Sequence, residues 1–244
     1  MKKLCFVAAA ILAASVAFAQ GNVAQQGKPI AGEQEVVKPE RGIEKFDVEI
    51  NVGFPIHWTN GLHDDPANAG NMIEDKFVTA NTAIGFGMNY NFNRTVGLAL
   101  DMDFSFGAKL SGFATPTSDY IGLSGANIFL GPVMYLHNSN GLRIPLAFGF
   151  HMYYFGDDLW IPDLGTAGAW INRQELQFGL GISLGVQYHF DNGIYMFSRT
   201  NVAFDFIRVH SMKDSDGTAL TKKSHTDLSA NWSVKPCLGI GIKF

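Results

Sequence analysis

The sequence is poor in cysteine. It has two in 244 residues, and Cys5 lies in an amino-terminal stretch that reads as cleavable. The remaining Cys237 has no partner within the mature chain, so an intrachain disulfide is excluded and stability must come from elsewhere. Beyond that first stretch no run of about 18 uninterrupted apolar residues exists, which excludes a transmembrane helix. If this protein meets a membrane, it does so as strands. No basic stripe or run appears, which argues against nucleic acid as a partner. Ligand spacing of a closed metal site is missing as well, so neither a metal nor another cofactor is expected.

The chain opens MKKLCFVAAAILAASVAFAQ. Lys2 and Lys3, an apolar run from Leu4 to Val16, and Ala17-Phe18-Ala19 before Gln20 predict a secretory signal peptide over 1–19. Cys5 precedes the apolar run, where a lipoprotein cysteine would follow it. Cleavage removes two lysines and no acid, which lowers the formal charge of −4 by two, to −6. Residues 20–43 are polar, broken by Gly and Pro, and without periodicity, and predict a flexible periplasmic tail. Residues 44–244 suit one barrel in size.

What that remainder holds is a period of two. In LQFGLGISLGVQYHF (176–190) every even position is apolar and every odd one polar or tiny, the pattern of a strand whose faces differ. The same alternation runs through FDVEINVGFPIHW (46–58), TAIGFGMNYNF (82–92), VGLALDMDFSFGA (96–108), LRIPLAFGFHMYY (142–154) and LSANWSVKPCLGIGIKF (228–244). It is less clean in LSGANIFLGPVMYL (123–136), where both faces carry apolar residues, and in IYMFSRTNVAFDFIR (194–208). Together these predict eight strands, each longer than the ~5–6 residues usual in soluble sheets. They are long enough for tilted membrane strands, which need ~9–11.

The connections alternate strictly. Short Asn/Asp/Gly turns follow the second, fourth and sixth segments, at 91–94, 137–141 and 191–193. Long polar connections, 59–77, 109–122, 156–172 and 209–226, follow the others. A bacterial outer-membrane barrel has short periplasmic turns and long outer loops, whereas a soluble sandwich has no reason for the alternation.

The polar face decides which way the apolar one points. It is built of small groups (Asn81, Ala83, Gly85, Gly87, Asn89; Gly97, Ala99; Gly179, Gly181, Ser183, Gly185; Gly239, Gly241), as the inside of a narrow eight-stranded barrel requires. Its charges balance. Asp47, Glu49, Asp101, Asp103, Glu175 and Asp205 face Lys45, Arg143, Arg173, Arg199, Lys235 and Lys243, which predicts a paired charge network in the lumen. On the apolar face the only charge is Arg208, at a loop-side end. Trp58, Tyr90, Phe92, Tyr135, Tyr188, Phe190 and Tyr195 sit near strand ends, where interfacial aromatic girdles lie. The expected fold is therefore an all-β, eight-stranded antiparallel up-and-down transmembrane barrel, its apolar face against outer-membrane lipids.

With its signal peptide, eight strands and final LGIGIKF, the chain resembles the small outer-membrane barrels of the OmpX and OmpW families. The resemblance implies that Phe244, with the alternating Leu238, Ile240 and Ile242, is the signal read by the barrel-assembly machinery. It implies residence in the bacterial outer membrane. No room exists for the peptidoglycan-binding domain that OmpA-type proteins add.

Motifs that suggest chemistry have structural explanations beside them. Gly179-x-Gly181-x-x-x-Gly185 has the wrong spacing for a dinucleotide fingerprint and lies inside a strand pattern. Asp101 and Asp103 share a face ~7 Å apart and pair more naturally with Arg143, Arg173 or Arg199 than with a substrate. His137-x-Ser139 falls in a periplasmic turn. His63-Asp64-Asp65, and His210 with Ser211, Asp214 and His225, lie toward the loops, where such residues are ordinarily just solvated. The sequence thus points to a non-enzymatic structural or surface-interaction scaffold whose loops, 59–77, 109–122, 156–172 and 209–226, meet an extracellular ligand. A narrow pore for small, apolar solutes, as in OmpW-like barrels, is the alternative. A lipid-modifying enzyme is third. The face occupied by Phe129, Val133 and Tyr135 is left open: inward, they make a hydrophobic plug or a hydrophobic path.

Overall fold

A computed structural model describes residues 45–64, 72–109, 120–139, 141–161, 169–214, 216 and 225–244. The expected signal peptide 1–19 and tail 20–43 lie outside them. Nine antiparallel strands form one ring among the described residues: β1 (Phe46–Gly53), β2 (Ile56–Asp64), β3 (Met72–Asn91), β4 (Val96–Lys109), β5 (Tyr120–Ser139), β6 (Leu142–Ile161), β7 (Ala169–His189), β8 (Ile194–Asp214) and β9 (His225–Lys243). Both β1 and β2 pair with β3 on one side and β9 on the other. They are two halves of one stave, so the barrel has eight. Closure leaves no unpaired sheet edge, a condition for crossing lipid.

The first segment, expected as a single strand from Phe46 to Trp58, is interrupted at Phe54–Pro55. Pro55 has no N–H for the ladder. Its carbonyl still accepts from Asn81 N at 2.9 Å, and Phe54 N donates to the Pro236 carbonyl at 3.0 Å. Alternation survives the break: Gly53, Pro55 and His57 are buried and Phe54 is exposed.

The burial pattern is inverted relative to a soluble protein. Leu180 on β7 is 62% exposed and Leu238 on β9 65%, whereas Asp47 and Glu49 on β1 are fully buried. The strands also outrun their apolar stretches. Of the expected loops, 59–77 is strand up to Asp64 and again from Met72, 109–122 from Tyr120, 156–172 up to Ile161 and from Ala169, and 209–226 up to Asp214 and from His225. Antiparallel main-chain pairing does not require an apolar outer face. At this level the outward residues turn polar: Gln174 and Lys213 are exposed, and Asn172 donates to Asp158 at 3.0 Å.

Three expected placements change. Arg208, read as facing lipid, is fully buried. Phe178 pairs with Ile207 but Gly179 with Asp205, so Phe206 is the extra residue of a β-bulge, and the phase of the strand flips there. Ala203 and Asp205 face in before the bulge; Arg208, His210 and Met212 face in after it. Tyr135 and Tyr195, read as girdle residues, also point inward. The reason is polar. The Tyr195 hydroxyl donates to Glu49 at 2.9 Å, and that of Tyr135 donates to Asn91. Of the remaining aromatics, Tyr90 with Phe92 and Tyr188 with Phe190 form edge-to-face pairs on the outer surface, centroids 5.4 and 5.2 Å apart. Phe129, Val133 and Tyr135 all face the lumen.

The short connections 91–96 and 189–194 are tight turns. Asn93 Oδ1 accepts from the N–H groups of Thr95 and Val96, both at 2.8 Å. Gly193 turns the chain at φ 85°, a conformation an L side chain reaches at a cost of about 1–2 kcal/mol. Gly193→Ala is expected to lower barrel stability by about that amount, read as a shift in the urea midpoint in detergent micelles.

Candidate functional site: the barrel lumen

The inward face of each stave is fixed by alternation, and closure stacks these faces into layers. Nearest the short turns, Arg143 Nη1 on β6 meets Asp47 Oδ2 on β1 at 3.0 Å. Asn91 donates to the same carboxylate oxygen at 3.3 Å. The Arg143 guanidinium lies 4.4 Å over the Tyr135 ring, so the ring carries a charge contact as well as bulk.

Glu49 is the hub of the next layer. Its Oε1 accepts from Asn89 Nδ2 at 3.2 Å, Gln187 Nε2 at 3.1 Å and the Tyr195 hydroxyl. Arg199 Nη1 donates to its Oε2 at 2.8 Å, while Nη2 reaches Asp101 on the far side at 2.9 Å. Donors from β3, β7 and β8 thus converge on one carboxylate of β1. Asn201 donates to Asp101 at 3.0 Å. Lys235 pairs with Asp103, which Asn127 also contacts at 2.9 Å.

Beside these ion pairs Phe129, Val133 and Tyr135 pack with Ala99 and Ala147 as a buried apolar cluster. Above them is a small cavity lined by His57, Asp103, Asn127, His151, Ser233 and Lys235 among others, with about 20 Å³ open to water, room for a molecule or so. His151 Nδ1 and Asp205 Oδ1 are 2.8 Å apart. Toward the loops, Glu175 accepts from Gln177 at 2.6 Å and faces Arg208 at 3.7 Å. Arg173 lies 5.3 Å over Phe155.

Of the residues expected in a charge network, Asp47 and Arg143, Glu49 with Arg199 and Asp101, and Asp103 with Lys235 meet directly. The acids Asp101 and Asp103 meet Arg199 and Lys235; Arg143 is committed to Asp47. Asp205 meets a histidine and Glu175 meets Arg208. Lys45 is exposed and Lys243 half-buried at the turn end. Sequence reasoning places Asn89 on the inward face without a partner and does not single out His57, His151, Asn127 and Gln187, although each occupies an inward position of its strand, and that parity is the available signal. His137 Nε2 and Ser139 Oγ lie 2.9 Å apart in an exposed turn. His210 faces in, and the side chains of His63, Asp64, Asp65, Asp214 and His225 lie outside the described ones.

No protein-family model and no curated protein matches the chain. Solved structures do. The outer membrane protein OprG from Pseudomonas aeruginosa superposes with a TM-score of 0.52 at 15% identity, over 83% of this chain and 98% of that one. AlkL, determined by solid-state NMR in DMPC lipid bilayers, gives 0.51 at 11% identity, over 87% and 96%. The fold is that of the small eight-stranded outer-membrane β-barrels. At such identities the likeness is one of backbone, and it explains the inside-out burial: in this barrel the exposed apolar belt faces lipid. The layers around Glu49 are read from this chain's own side chains: Arg199 on β8 joins Glu49 on β1 to Asp101 on β4.

Proposed function

We propose that this protein is an exported outer-membrane barrel with a sealed lumen, a non-enzymatic scaffold that works through the hairpins it raises above the membrane. The observation that carries the reading is Arg199 held between Glu49 and Asp101, beside the packed Phe129, Val133 and Tyr135. An ion crossing the lumen would have to break buried, charge-assisted hydrogen bonds. A ligand would be met by the segments 59–77, 109–122, 156–172 and 209–226. Leu238, Ile240, Ile242 and Phe244 form an exposed outward stripe at the carboxy terminus, suited to reading by the assembly machinery.

The pore for small apolar solutes draws on the same apolar cluster. That cluster is anchored, however: the Tyr135 hydroxyl is bonded to Asn91 and its ring lies under Arg143. A fixed plug fits this better than a path. The test is conductance of the refolded protein in a planar bilayer, with heat-modifiable gel mobility as the check of folding. A folded barrel is expected to stay electrically silent; discrete, reproducible openings would overturn the sealed reading.

A further inference from the structure

Two histidines from opposite staves face one cavity in the upper half of the lumen. His57 comes from β2 and His151 from β6, and both line the space shared with Asn127, Ser233 and Lys235. His57 is 4% exposed, and its ring lies flat on Tyr153, with centroids 4.0 Å apart and planes at 6°. The stack fixes the plane of the imidazole. Its Nε2 is buried without a hydrogen-bond partner, and so is Oδ1 of Asn127. The Asn127 amide is oriented by its NH2 group, which donates to Asp103, so the oxygen is left as the free acceptor. Buried groups of this kind normally have partners. Two such groups at one cavity therefore ask for a guest.

The other histidine says which guest. His151 Nδ1 lies 2.8 Å from the Asp205 carboxylate, and a neutral ring that donates its Nδ1 proton there keeps an electron pair on Nε2. Carboxylates orient metal-binding histidines in this way. Charge points the same way. The cavity's Lys235 is committed to Asp103, whereas among the described residues the Asp205 carboxylate meets the imidazole of His151 and no other ionisable group. With that imidazole neutral, the layer carries one surplus negative charge in a low-dielectric interior, where a cation is favoured.

We propose that this cavity binds one divalent transition-metal ion of the imidazole-seeking class (zinc, copper, nickel), held by His57 and His151, with Asn127 Oδ1 and water completing its shell. Among the described residues no group of three His, Cys, Asp or Glu side chains is placed to hold a metal ion. The site is therefore an open, two-imidazole one and not a closed structural centre.

The experiment uses full-length protein refolded in micelles and stripped of metal. Zn2+ is titrated against a chromophoric chelator, and folding of every variant is checked by heat-modifiable mobility. One ion per chain is expected. His57→Phe, which keeps a ring stacked on Tyr153, and His151→Phe should each weaken binding at least tenfold. Asp205→Asn should weaken it roughly 10–100-fold, as loss of an orienting carboxylate does. His137→Phe, in the exposed turn, should leave it unchanged. Should the His57 variant fail to fold, electron paramagnetic resonance of Cu2+ bound to the wild-type protein decides the matter: two nitrogen ligands support the site, one or none overturns it. Absence of a bound ion, or binding untouched by both phenylalanine variants, would also overturn the proposal and leave water as the occupant.

Discussion

Arg199→Met is expected to destabilise the barrel by about 3–5 kcal/mol, the usual result of removing one partner from a buried ion network. The Arg199 side chain is 10% exposed, and it is the cation within 3 Å of both Glu49 and Asp101. Methionine fills similar space but leaves two carboxylates facing each other in the interior. Glu49 would keep only neutral donors, Asn89, Gln187 and Tyr195, while Asp101 would keep its bond from Asn201 and the more distant Lys235 at 3.9 Å. Neutral donors cannot replace the charge lost at Glu49. The triple change Glu49→Gln, Asp101→Asn, Arg199→Met removes the charges together, and it should recover more than half of the loss, since neutralising a whole buried network is often nearly free. Urea titration in lipid vesicles, followed by tryptophan fluorescence, reads both. A loss below about 1 kcal/mol for Arg199→Met would place water around these carboxylates, and the sealed lumen would fall with it.

The same hub shows how far the sequence can be read. Glu49 is legible as an inward acid, because alternation needs only its immediate neighbours. Its partner is not, because Arg199 is 150 positions away and meets it only when the ring closes. Arg208 misleads for a different reason. One extra residue at Phe206 inverts everything after it, and Phe-Asp-Phe-Ile contains nothing that marks a bulge. Tyr195 is ambiguous in sequence. An aromatic near a strand end suits a girdle or a lumen equally, and the strand beside it decides. A Cβ on Gly241 would overlap the Tyr195 ring, so the glycines of LGIGIKF make room for inward rings on β8. Alternation also underestimates the strand ends, because main-chain bonding continues where the apolar outer face stops. His57 and His151 are readable in parity but not as neighbours. Face is local information, and partnership is not.

Ile182→Arg and Gln174→Arg place the same charge on the same outward face of β7, and their effects are expected to differ sharply. Ile182 is 56% exposed and lies near the middle of the apolar series from Leu176 to Phe190. Arginine there should cost about 2–4 kcal/mol, the penalty for a lipid-facing charge near the bilayer midplane. Gln174 is also exposed. It stands eight residues higher, which is about 26 Å along a strand at ~3.3 Å per residue and roughly 20 Å above the midplane at a tilt of ~40°. An apolar band about 25 Å tall ends well below that height, so arginine at 174 should cost about 0–1 kcal/mol. Both variants can be measured by reversible unfolding in thin-bilayer vesicles. The comparison isolates depth, because strand, face and new side chain are held constant. Equal costs at the two positions would mean that β7 does not cross a bilayer as its outward residues imply. A steep difference would fix the height at which the barrel leaves lipid, and with it the length of each hairpin that stands in water.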